Sequence, residues 1–460
     1  MIFSREGRTM STETPDRRGF LRTSIGAAAG IAAGVGLRVV PARAQGANER
    51  IVFGVMGTGG RGGFLMSRLL ARKDIDIAWV CDADSERFNA AAKSVAEKTG
   101  RRPKTTFDFR EMLDDSHVNA LLFATPDHWH ALPTVLACQA GKDVYVEKPA
   151  CHNVWEGRKM VEAARKHQRI VQLGTQNRSA PYVGHAVEFV QNGGLGDVHF
   201  LRVRNMKERG AIQPAKDEPA PEGVNYDIWL GPAPKRPFNR NRFHYSWNWY
   251  WDYSGGDIIN DAIHQVDIAR WLIGQDYPKS VVCTGGAFSL RDDSETPDTQ
   301  SVQWEFDGLT MVFDLTLWTP YMKKMPVAQR ALDVFPEWQF YAMGVEVYGT
   351  KGLMLMGRHG GGWQAFGTNW DVLRQEHGLE AHDDHLANFI DCIRTRRRPN
   401  ADIEEGHKST LLCHLGNISY RVGGRRLHFD GAKERFVNDE EADRYLKRVG
   451  RSPWTMPERV

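Results

Sequence analysis

The sequence predicts an α/β fold with two domains: a doubly wound parallel sheet, then an α+β domain with a large open, mostly antiparallel sheet. Short apolar runs alternate with amphipathic helical segments up to residue 175, which is typical of repeated β–α units. Several strands then follow one another between residues 281 and 348 without helices between them. The 460 residues also exceed what one ordinary core holds, so two domains are expected.

The first 44 residues predict an export signal. Asp16 to Arg22 (DRRGFLR) is a twin-arginine pattern, a weakly apolar run follows from Ile25 to Gly36, and Ala42-Arg43-Ala44 is a small-x-small cleavage site. The mature chain would begin at Gln45 and lie in the periplasm or otherwise outside the cytoplasm. A disordered basic tail is the alternative. The apolar run is too short and too rich in glycine for a membrane span.

Composition gives no sign of a nucleic-acid partner, a disulfide framework or a metal. The net charge of +3 comes from the N-terminal segment, where seven Arg stand against three acidic residues, and the remaining chain carries about −1. The six cysteines show no paired spacing, as expected of a chain that folds before export. Residues 382–385 (HDDH) have the composition of metal ligands but no matching cluster nearby, so they predict a solvated helix start.

The first β–α unit carries a phosphate-binding pattern. Residues 51–56 (IVFGVM) predict a buried strand, and Gly57, Gly59 and Gly62 follow it in GxGxxG spacing before an amphipathic helix. Gly57 would make the tight turn, Gly59 would let the backbone approach a pyrophosphate, and Gly62 would allow close contact between helix and strand. The pattern predicts a dinucleotide-binding Rossmann domain, and an ordinary glycine turn in an unrelated α/β unit is the alternative.

The second strand indicates which dinucleotide to expect. It spans residues 75–81 and ends at Asp82, 25 residues after Gly57. A carboxylate at this point accepts hydrogen bonds from the adenosine ribose hydroxyls and repels a 2′-phosphate, so NAD is the predicted cofactor. Arg87 lies close in sequence and leaves NADP as the alternative.

A polar loop follows the predicted strand at residues 120–124. It begins with Thr125-Pro126 and reaches His130 at the start of a helix. Ligands bind at the carboxyl ends of strands in open α/β sheets, so Thr125 and Pro126 are expected on the nicotinamide side of the cleft. His130 has two interpretations: it holds a cofactor or substrate group, or it is a helix-start histidine bonded to backbone.

Several features of the sequence indicate Lys148 as a candidate site residue. Gly141 ends a helix, residues 144–146 predict a short buried strand, and Glu147-Lys148-Pro149 follows. Proline cannot continue a strand ladder, so Lys148 is expected at the carboxyl end of that strand, where it can meet a substrate. The residues predicted to contact the cofactor are Gly57, Thr58, Gly59, Gly60, Arg61, Gly62, Asp82, Thr125, Pro126, His130, Glu147 and Lys148.

A helix predicted at residues 258–273 contributes the second set of candidates. Asn260, His264 and Asp267 fall at i, i+4 and i+7, so they would share one face of this helix. A polar stripe with a central histidine on an apolar helix predicts a cleft wall, and a satisfied core network is the alternative. The Trp- and Tyr-rich run just before it, residues 247–253, could stack on sugar rings or simply pack.

Together these motifs resemble the Gfo/Idh/MocA family, which includes glucose–fructose oxidoreductase and inositol 2-dehydrogenase. The resemblance covers residues 50–425. It rests on the GxGxxG run, Ala124-Thr125-Pro126 with His130, Ala140-Gly141-Lys142, Glu147-Lys148-Pro149, and the glycine-led helix with His264 and Asp267. It implies a nicotinamide-dependent oxidoreductase that acts on a hydroxyl of a sugar, cyclitol or related polyol and binds its cofactor tightly.

The same resemblance implies roles for the catalytic candidates. Lys148 would position the reacting hydroxyl and help to move its proton. His264, oriented by Asp267, would be the acid/base partner. The family commonly has Asp four residues before this histidine, where this chain has Asn260, and an amide can orient a neighbour but cannot carry charge or relay a proton.

Export constrains the expected reaction because no large NAD pool exists outside the cytoplasm. Either a second substrate re-oxidises the bound cofactor, or the cycle is redox-neutral, as in a glycosidase, lyase or epimerase that oxidises a sugar carbon transiently. A non-catalytic sugar-binding protein is the third possibility. The presence of both Lys148 and His264 is evidence against it.

These patterns divide the chain into four segments. Residues 1–44 form the signal, 45–175 the NAD-binding domain, 176–425 the substrate-binding domain, and 426–460 an arm across the surface. An open sheet face usually needs covering, so a homo-oligomer is expected.

Overall fold

The structure is a computed structural model that describes residues 50–330 and 332–460. The predicted export signal lies outside the described residues. All six cysteines lie inside them, as buried free thiols. Across the described ranges, no helix combines the length and the apolarity needed to cross a bilayer.

A parallel sheet of six strands forms the N-terminal domain within the described residues, in the order β3-β2-β1-β4-β5-β6. Its strands are almost continuously apolar because helices cover both faces. The strands are β1 (Ile51–Met56), β2 (Ile75–Cys81), β3 (Lys104–Thr106), β4 (Ala120–Phe123), β5 (Asp143–Val146) and β6 (Val171–Leu173). The helices are α1 (Gly60–Leu70), α2 (Ser85–Thr99), α3 (Arg110–Asp114), α4 (Ala131–Gln139) and α5 (Val154–Lys166). The order reverses between β1 and β4, which opens a crevice at their carboxyl ends.

The second sheet has ten strands in the described residues and is antiparallel at every pairing except that of β7 with β10. The fold class predicted from the sequence is therefore confirmed. The strands are β7 (Val198–Met206), β8 (Ser280–Gly286), β9 (Thr299–Glu305), β10 (Thr310–Thr316), β11 (Met343–Gly349), β12 (Gly352–Gly357), β13 (Trp363–Gly367), β14 (Val372–Glu376), β15 (Leu427–Asp430) and β16 (Arg435–Phe436). The remaining helices are α6 (Pro181–Gln191), α7 (Tyr226–Leu230), α8 (Asp257–Asn260), α9 (Ile263–Ile273), α10 (His382–Thr395), α11 (Ile403–Arg421) and α12 (Glu440–Asp443).

One face of this sheet is buried under α6, α9 and α11, and burial alternates along β9 and β10 as an antiparallel sheet with one solvated face requires. The other face is polar and partly exposed, with the ion pair of Arg202 and Asp314 lying across it. This leaves a broad surface that helices do not cover in the described chain.

Two C-terminal segments pack differently from the sequence prediction. Helix α10 joins the core of the first domain through Leu386 and Phe389, although its position in the chain assigned it to the second domain. The parallel sheet needs a further apolar cover beside β1, and α10 supplies it. Residues 426–460 are more than an arm: β15 extends the second sheet beside β8, and Trp454 packs against Trp129 of the first domain.

Candidate functional site

A cleft of about 320 Å³ lies at the carboxyl edge of the parallel sheet. Its first wall comes from the loops after β1, β2, β4 and β5. Its second wall comes from the segment between β7 and α9. Its lining includes Gly57, Gly59, Gly60, Arg61, Asp82, Arg87, Thr125, Pro126, Asp127, Glu147, Lys148, Trp229, Phe243, Tyr245, Trp247, Asn248 and Asn260.

The glycine loop has the geometry of a phosphate cradle. Gly57 has a positive φ of 84°, and a Cβ on Gly62 would lie 1.8 Å from the Gly57 carbonyl oxygen. Helix α1 begins at Gly60 without a side-chain cap, so its first N–H groups remain available to a ligand. Backbone donors at an uncapped helix N-terminus suit a pyrophosphate, and the loop therefore fits a dinucleotide.

Asp82 lies at the end of β2, where the sequence predicted the ribose contact. Its Oδ2 accepts from the Thr58 backbone N–H at 2.7 Å and from the Thr58 hydroxyl at 3.0 Å. Burial raises the pKa of Asp82. Thr58 thus fixes the carboxylate and takes part of its acceptor capacity. Arg87 lines the same end of the cleft, and its guanidinium would lie 2.7 Å from a Cβ on Gly59.

Glu147 is a structural link as well as a lining residue. Its Oε1 accepts from Arg61 Nε at 2.7 Å, which ties the end of β5 to the start of α1. Burial disfavours the charged carboxylate, but Arg61 and Lys148 outweigh it and hold the pKa of Glu147 below its usual value. A Cβ on Gly174 would meet this carboxyl group at 2.7 Å, so the position beside it must stay glycine.

The structure supports the second interpretation of His130, a helix-start histidine bonded to backbone. Its ring nitrogens contact two backbone carbonyls, that of Pro149 at 2.6 Å and that of Thr125 at 3.0 Å. Burial lowers the pKa of His130 to about 4, so the ring is neutral and only one of its nitrogens donates to a carbonyl oxygen. The predicted cofactor contact is wrong for this side chain: it holds together two loops that line the cleft.

Lys148 crosses from the first domain to the second. Its Nζ donates to the Asn260 carbonyl oxygen at 2.5 Å and lies 3.3 Å from Asn260 Oδ1. Burial lowers the pKa of Lys148, while Glu147 and Asp127 act in the opposite direction. The amide at position 260 therefore orients the lysine.

Asp127 is a functional candidate that the sequence analysis did not single out. It lies in the loop after β4, is 2% exposed, and accepts from the Ser254 hydroxyl at 2.5 Å. Burial raises the pKa of Asp127 to about 7, against the effect of nearby Lys148. Its place two residues after Thr125 was the available signal, but only the fold shows that it is buried beside a lysine.

The helix that was predicted to carry Asn260, His264 and Asp267 on one face is interrupted. Helix α8 ends at Asn260 and α9 begins at Ile263. The carboxylate of Asp261, which lies at the interruption, is 2.8 Å from both Lys207 Nζ and Arg358 Nη1. Two ion pairs to other parts of the second domain thus hold this residue outside regular helix.

His264 lies in a positively charged environment. Burial lowers the pKa of His264 well below its usual value, and Arg358 and Lys148 lower it further. Its Nδ1 has no hydrogen-bond partner among the described residues. The ring is therefore neutral and a weak base.

Asp267 does not orient His264, so that part of the prediction is wrong. Arg178 Nε lies 2.9 Å from each of its carboxylate oxygens, and the Ser409 hydroxyl donates to Oδ1 at 2.6 Å. These bonds join α9 to α11 and to the turn after β6. Asp267 belongs to a satisfied core network, which was the alternative interpretation of the polar stripe.

An aromatic segment, residues 220–253, covers the cleft; we call it the aromatic cover. It is tied to the turn after β2 by backbone hydrogen bonds from Ser85 to Gly223 at 2.9 Å and from Asn225 to Ala83 at 2.8 Å. Further on, Trp229 packs in a cluster of aromatic side chains. The rings that this segment presents to the cleft include Trp229, Phe243, Tyr245 and Trp247. The adenosine end of the predicted cofactor site is therefore enclosed.

No group of three potential metal-ligating side chains occurs in residues 50–330 and 332–460. Of the HDDH run, Asp383 is exposed as expected, whereas His385 is buried and contacts Ser179 and the Leu173 carbonyl. The run is therefore only partly a solvated helix start.

Comparison with known families agrees with this geometry. Residues 51–175 match the model described as "Oxidoreductase family, NAD-binding Rossmann fold", and residues 209–313 and 349–456 match "Oxidoreductase family, C-terminal alpha/beta domain". The two models cover both domains of the chain. The chain belongs to the Gfo/Idh/MocA family of oxidoreductases. It is an oxidoreductase with NAD as its cofactor, as the sequence predicted.

Individual relatives are distant. Myo-inositol 2-dehydrogenase of Thermotoga maritima is 24% identical over 377 residues, which are 80% of this chain and 95% of that protein. A glycosyl hydrolase family 109 protein of Saccharopolyspora erythraea is 30% identical over 203 residues, 40% of this chain and 44% of that one. Several other curated relatives are matched over only about half of their own length.

Solved structures share the fold. The WlbA dehydrogenase from Bordetella pertussis, in complex with NADH and UDP-GlcNAcA, matches with a TM-score of 0.60 at 20% identity. The match covers 83% of this chain and 99% of the other.

Proposed function

We propose that this protein oxidises a hydroxyl of a sugar, cyclitol or related polyol. The proposal is carried by the position of Lys148. Its half-buried ammonium group lies on the cofactor cleft at the end of β5 and is held by Asn260 of the second domain. A donor fixed between a dinucleotide cradle and a second domain is suited to hold a substrate oxygen as charge develops on it.

The chemistry of the cleft supports this substrate class. Indole and phenol rings from Trp229, Trp247 and Tyr245 stand beside the amides of Asn248 and Asn260. Apolar ring faces with a few polar groups suit a molecule with both C–H faces and hydroxyls. The Thermotoga relative is named for a cyclitol, which agrees with this reading.

In the proposed reaction Lys148 binds the reacting hydroxyl and takes its proton. Burial lowers the pKa of Lys148, which brings the neutral amine within reach. His264 is buried and lies outside the cleft lining, so as a neutral, weakly basic imidazole it is not assigned the proton in this reaction. Asp127, with a pKa of about 7, is the second titratable group of the cleft and suits proton exchange near neutral pH. NAD, when bound, accepts the hydride from the substrate carbon.

The aromatic cover supports a cofactor that stays bound between turnovers. Its backbone hydrogen bonds to Ala83 and Ser85 close the chain over the end of β2, where the adenosine ribose is expected. Release of a dinucleotide would require these bonds to break. A retained cofactor would suit a protein exported through the twin-arginine route, which transports chains already folded. The uncovered face of the second sheet supports assembly into a homo-oligomer.

Native mass spectrometry of the protein recovered from the periplasm of a host with twin-arginine export tests these three proposals together. We expect a chain that begins at Gln45, one dinucleotide per subunit, and a homo-oligomeric mass. Each readout is separate: an uncleaved cytoplasmic chain contradicts export, cofactor-free subunits contradict retention, and a monomer contradicts assembly.

A redox-neutral glycosidase, lyase or epimerase is the second candidate. Two observations favour it: the match to a glycosyl hydrolase family 109 protein, and a cover that would keep a reduced cofactor in place for the return step. The same lysine and cleft would serve both reactions, so the overall redox balance distinguishes them.

Incubation of the purified protein with free polyols and with aryl glycosides distinguishes the two candidates. The oxidoreductase proposal predicts that adding a polyol raises the absorbance of reduced nicotinamide. When no second substrate is present, the size of this rise should be proportional to the amount of enzyme. Release of the aryl alcohol without net reduction would select the redox-neutral cycle. No reaction with either class, in protein that carries NAD, would contradict both and favour a sugar-binding protein.

A further inference from the structure

A second cavity, of about 270 Å³, lies outside the cofactor cleft. It is enclosed by four parts of the chain: the start of α5, the end of the aromatic cover, the end of α11, and the C-terminal segment. Its lining includes His152, Asn153, Trp251, Asp252, Ser254, Arg421, Arg444, Tyr445 and Arg448. Apart from Ser254, which donates to Asp127, none of them contacts a group used in the reaction proposed above.

Two hydrogen-bond donors at this cavity have no partner among the described residues. Asn153 is 4% exposed; its Oδ1 accepts from the Glu156 N–H, which fixes the amide, and its Nδ2 is unpartnered. Arg448 donates from Nε to Glu156 at 2.7 Å and from Nη2 to the His128 carbonyl at 2.9 Å, while its Nη1 is unpartnered. Buried donors are normally satisfied, and these two belong to residues that line the cavity; the neighbouring Glu156 Oε2 also has no partner among the described residues.

His152 adds an unpartnered acceptor. Its Nε2 lies 2.9 Å from the Trp251 carbonyl oxygen, which can only accept, so Nε2 carries the proton. Nδ1 is buried and unpartnered within the described chain. In the neutral ring this atom has a free lone pair and can accept a hydrogen bond from a ligand hydroxyl.

The mouth of the cavity is basic. Arg421 is stacked between Trp251 at 4.8 Å and Tyr445 at 4.4 Å, and it forms no ion pair with a described residue. Arg444 likewise forms none in the described chain. The acidic residue in the lining, Asp252, is already paired with Arg236. The N-terminus of α5, which Asn153 caps, adds its partial positive charge.

We propose that this cavity binds a small oxyanion that also carries a hydroxyl group, such as hydrogen phosphate or a sugar acid. Asn153 and Arg448 would donate to the anionic oxygens, His152 would accept from the hydroxyl, and Arg421 and Arg444 would balance the charge. The cavity also adjoins the cleft. Ser254 lines it, and the hydroxyl of this serine donates to Asp127, which lines the cofactor site.

Isothermal titration of the full-length protein, saturated with NAD in a phosphate-free chloride buffer, tests the site. The probes are phosphate, gluconate and sulfate, and saturation with NAD keeps them from the glycine loop. Phosphate or gluconate should bind more tightly than sulfate, which at neutral pH has no hydroxyl to offer His152. If phosphate binds and gluconate does not, the ligand class is the free inorganic ion. If gluconate binds and phosphate does not, the ligand class is a sugar acid.

The matched variants are Arg421→Gln/Arg444→Gln at the mouth and Arg398→Gln as control, since Arg398 is exposed and remote in sequence from the cavity. We expect the double variant to lose about tenfold in affinity or more, and the control to keep the native value. Equal affinity in the native protein and the double variant would overturn the proposal. So would the absence of heat with every probe at concentrations of about 10 mM, because a site that weak would bind nothing selectively.

Discussion

Replacing Lys148 with methionine is expected to lower turnover about 10³-fold while NAD binding changes little. The side chain keeps its length and fills the same space, but the substrate oxygen loses both its donor and its proton acceptor. Retained NAD binding is expected because the substitution leaves the glycine loop and Asp82 unchanged. Steady-state kinetics and NAD titration on the same preparation measure the two effects.

The control for this experiment is Lys98→Met, which removes an exposed lysine from the last turn of α2. It should leave turnover and NAD binding unchanged. Asn260→Ala should give an intermediate loss, because the lysine keeps its backbone partner at position 260 but loses the amide oxygen. If Lys148→Met kept more than about a tenth of native turnover, the lysine would not be the group that handles the proton.

Gly62→Ala is expected to lower NAD affinity about 100-fold, whereas Gly63→Ala is expected to preserve it. Both residues lie in α1, so both gain the same helix propensity, about 1 kcal/mol. The new Cβ differs: at position 62 it would lie 1.8 Å from the Gly57 carbonyl oxygen, and at position 63 it would lie 3.6 Å from the Thr58 carbonyl oxygen. The first contact forces backbone apart and the second is ordinary van der Waals contact.

NAD titration and thermal unfolding of both variants decide this prediction. A loss of NAD affinity of about 100-fold at Gly62, with Gly63→Ala unchanged or slightly more stable, would support the cradle. Equal NAD affinity of the two variants would show that the loop relaxes at no cost and that the cofactor does not depend on this close contact.

The positions of the candidate cofactor residues could be predicted from the sequence because the determinants of those positions are local. Gly57 to Gly62 and Asp82 lie within one β–α–β unit, whose geometry follows from strand, turn and helix in succession. Lys148 was predictable for the same reason: proline ends its strand, and parallel strands end at the same edge.

The partners of the second-domain candidates could not be predicted, since they depend on contacts distant in sequence. Asp267 pairs with Arg178 and Ser409, 89 and 142 residues away. Asp261 interrupts the helix through contacts to Lys207 and Arg358. Periodicity places side chains on a face, but it contains no information on which charge the fold brings opposite to them.

The packing of α10 shows the same limit at the level of domains. The helix follows eight strands of the second sheet along the chain, yet its apolar residues complete the core of the first domain. Its composition fits either sheet. The helix packs on the first sheet because that sheet has an otherwise uncovered apolar surface beside β1.

The hydrogen bonds from Lys148 to Asn260 have a consequence for timing. The lysine belongs to one domain and is held in position by the other, so it is correctly aimed only while the two walls of the cleft are together. If the walls separate to admit a substrate or release a product, the ammonium group loses its anchor. In the proposed reaction, the substrate hydroxyl would therefore be oxidised only in the closed arrangement.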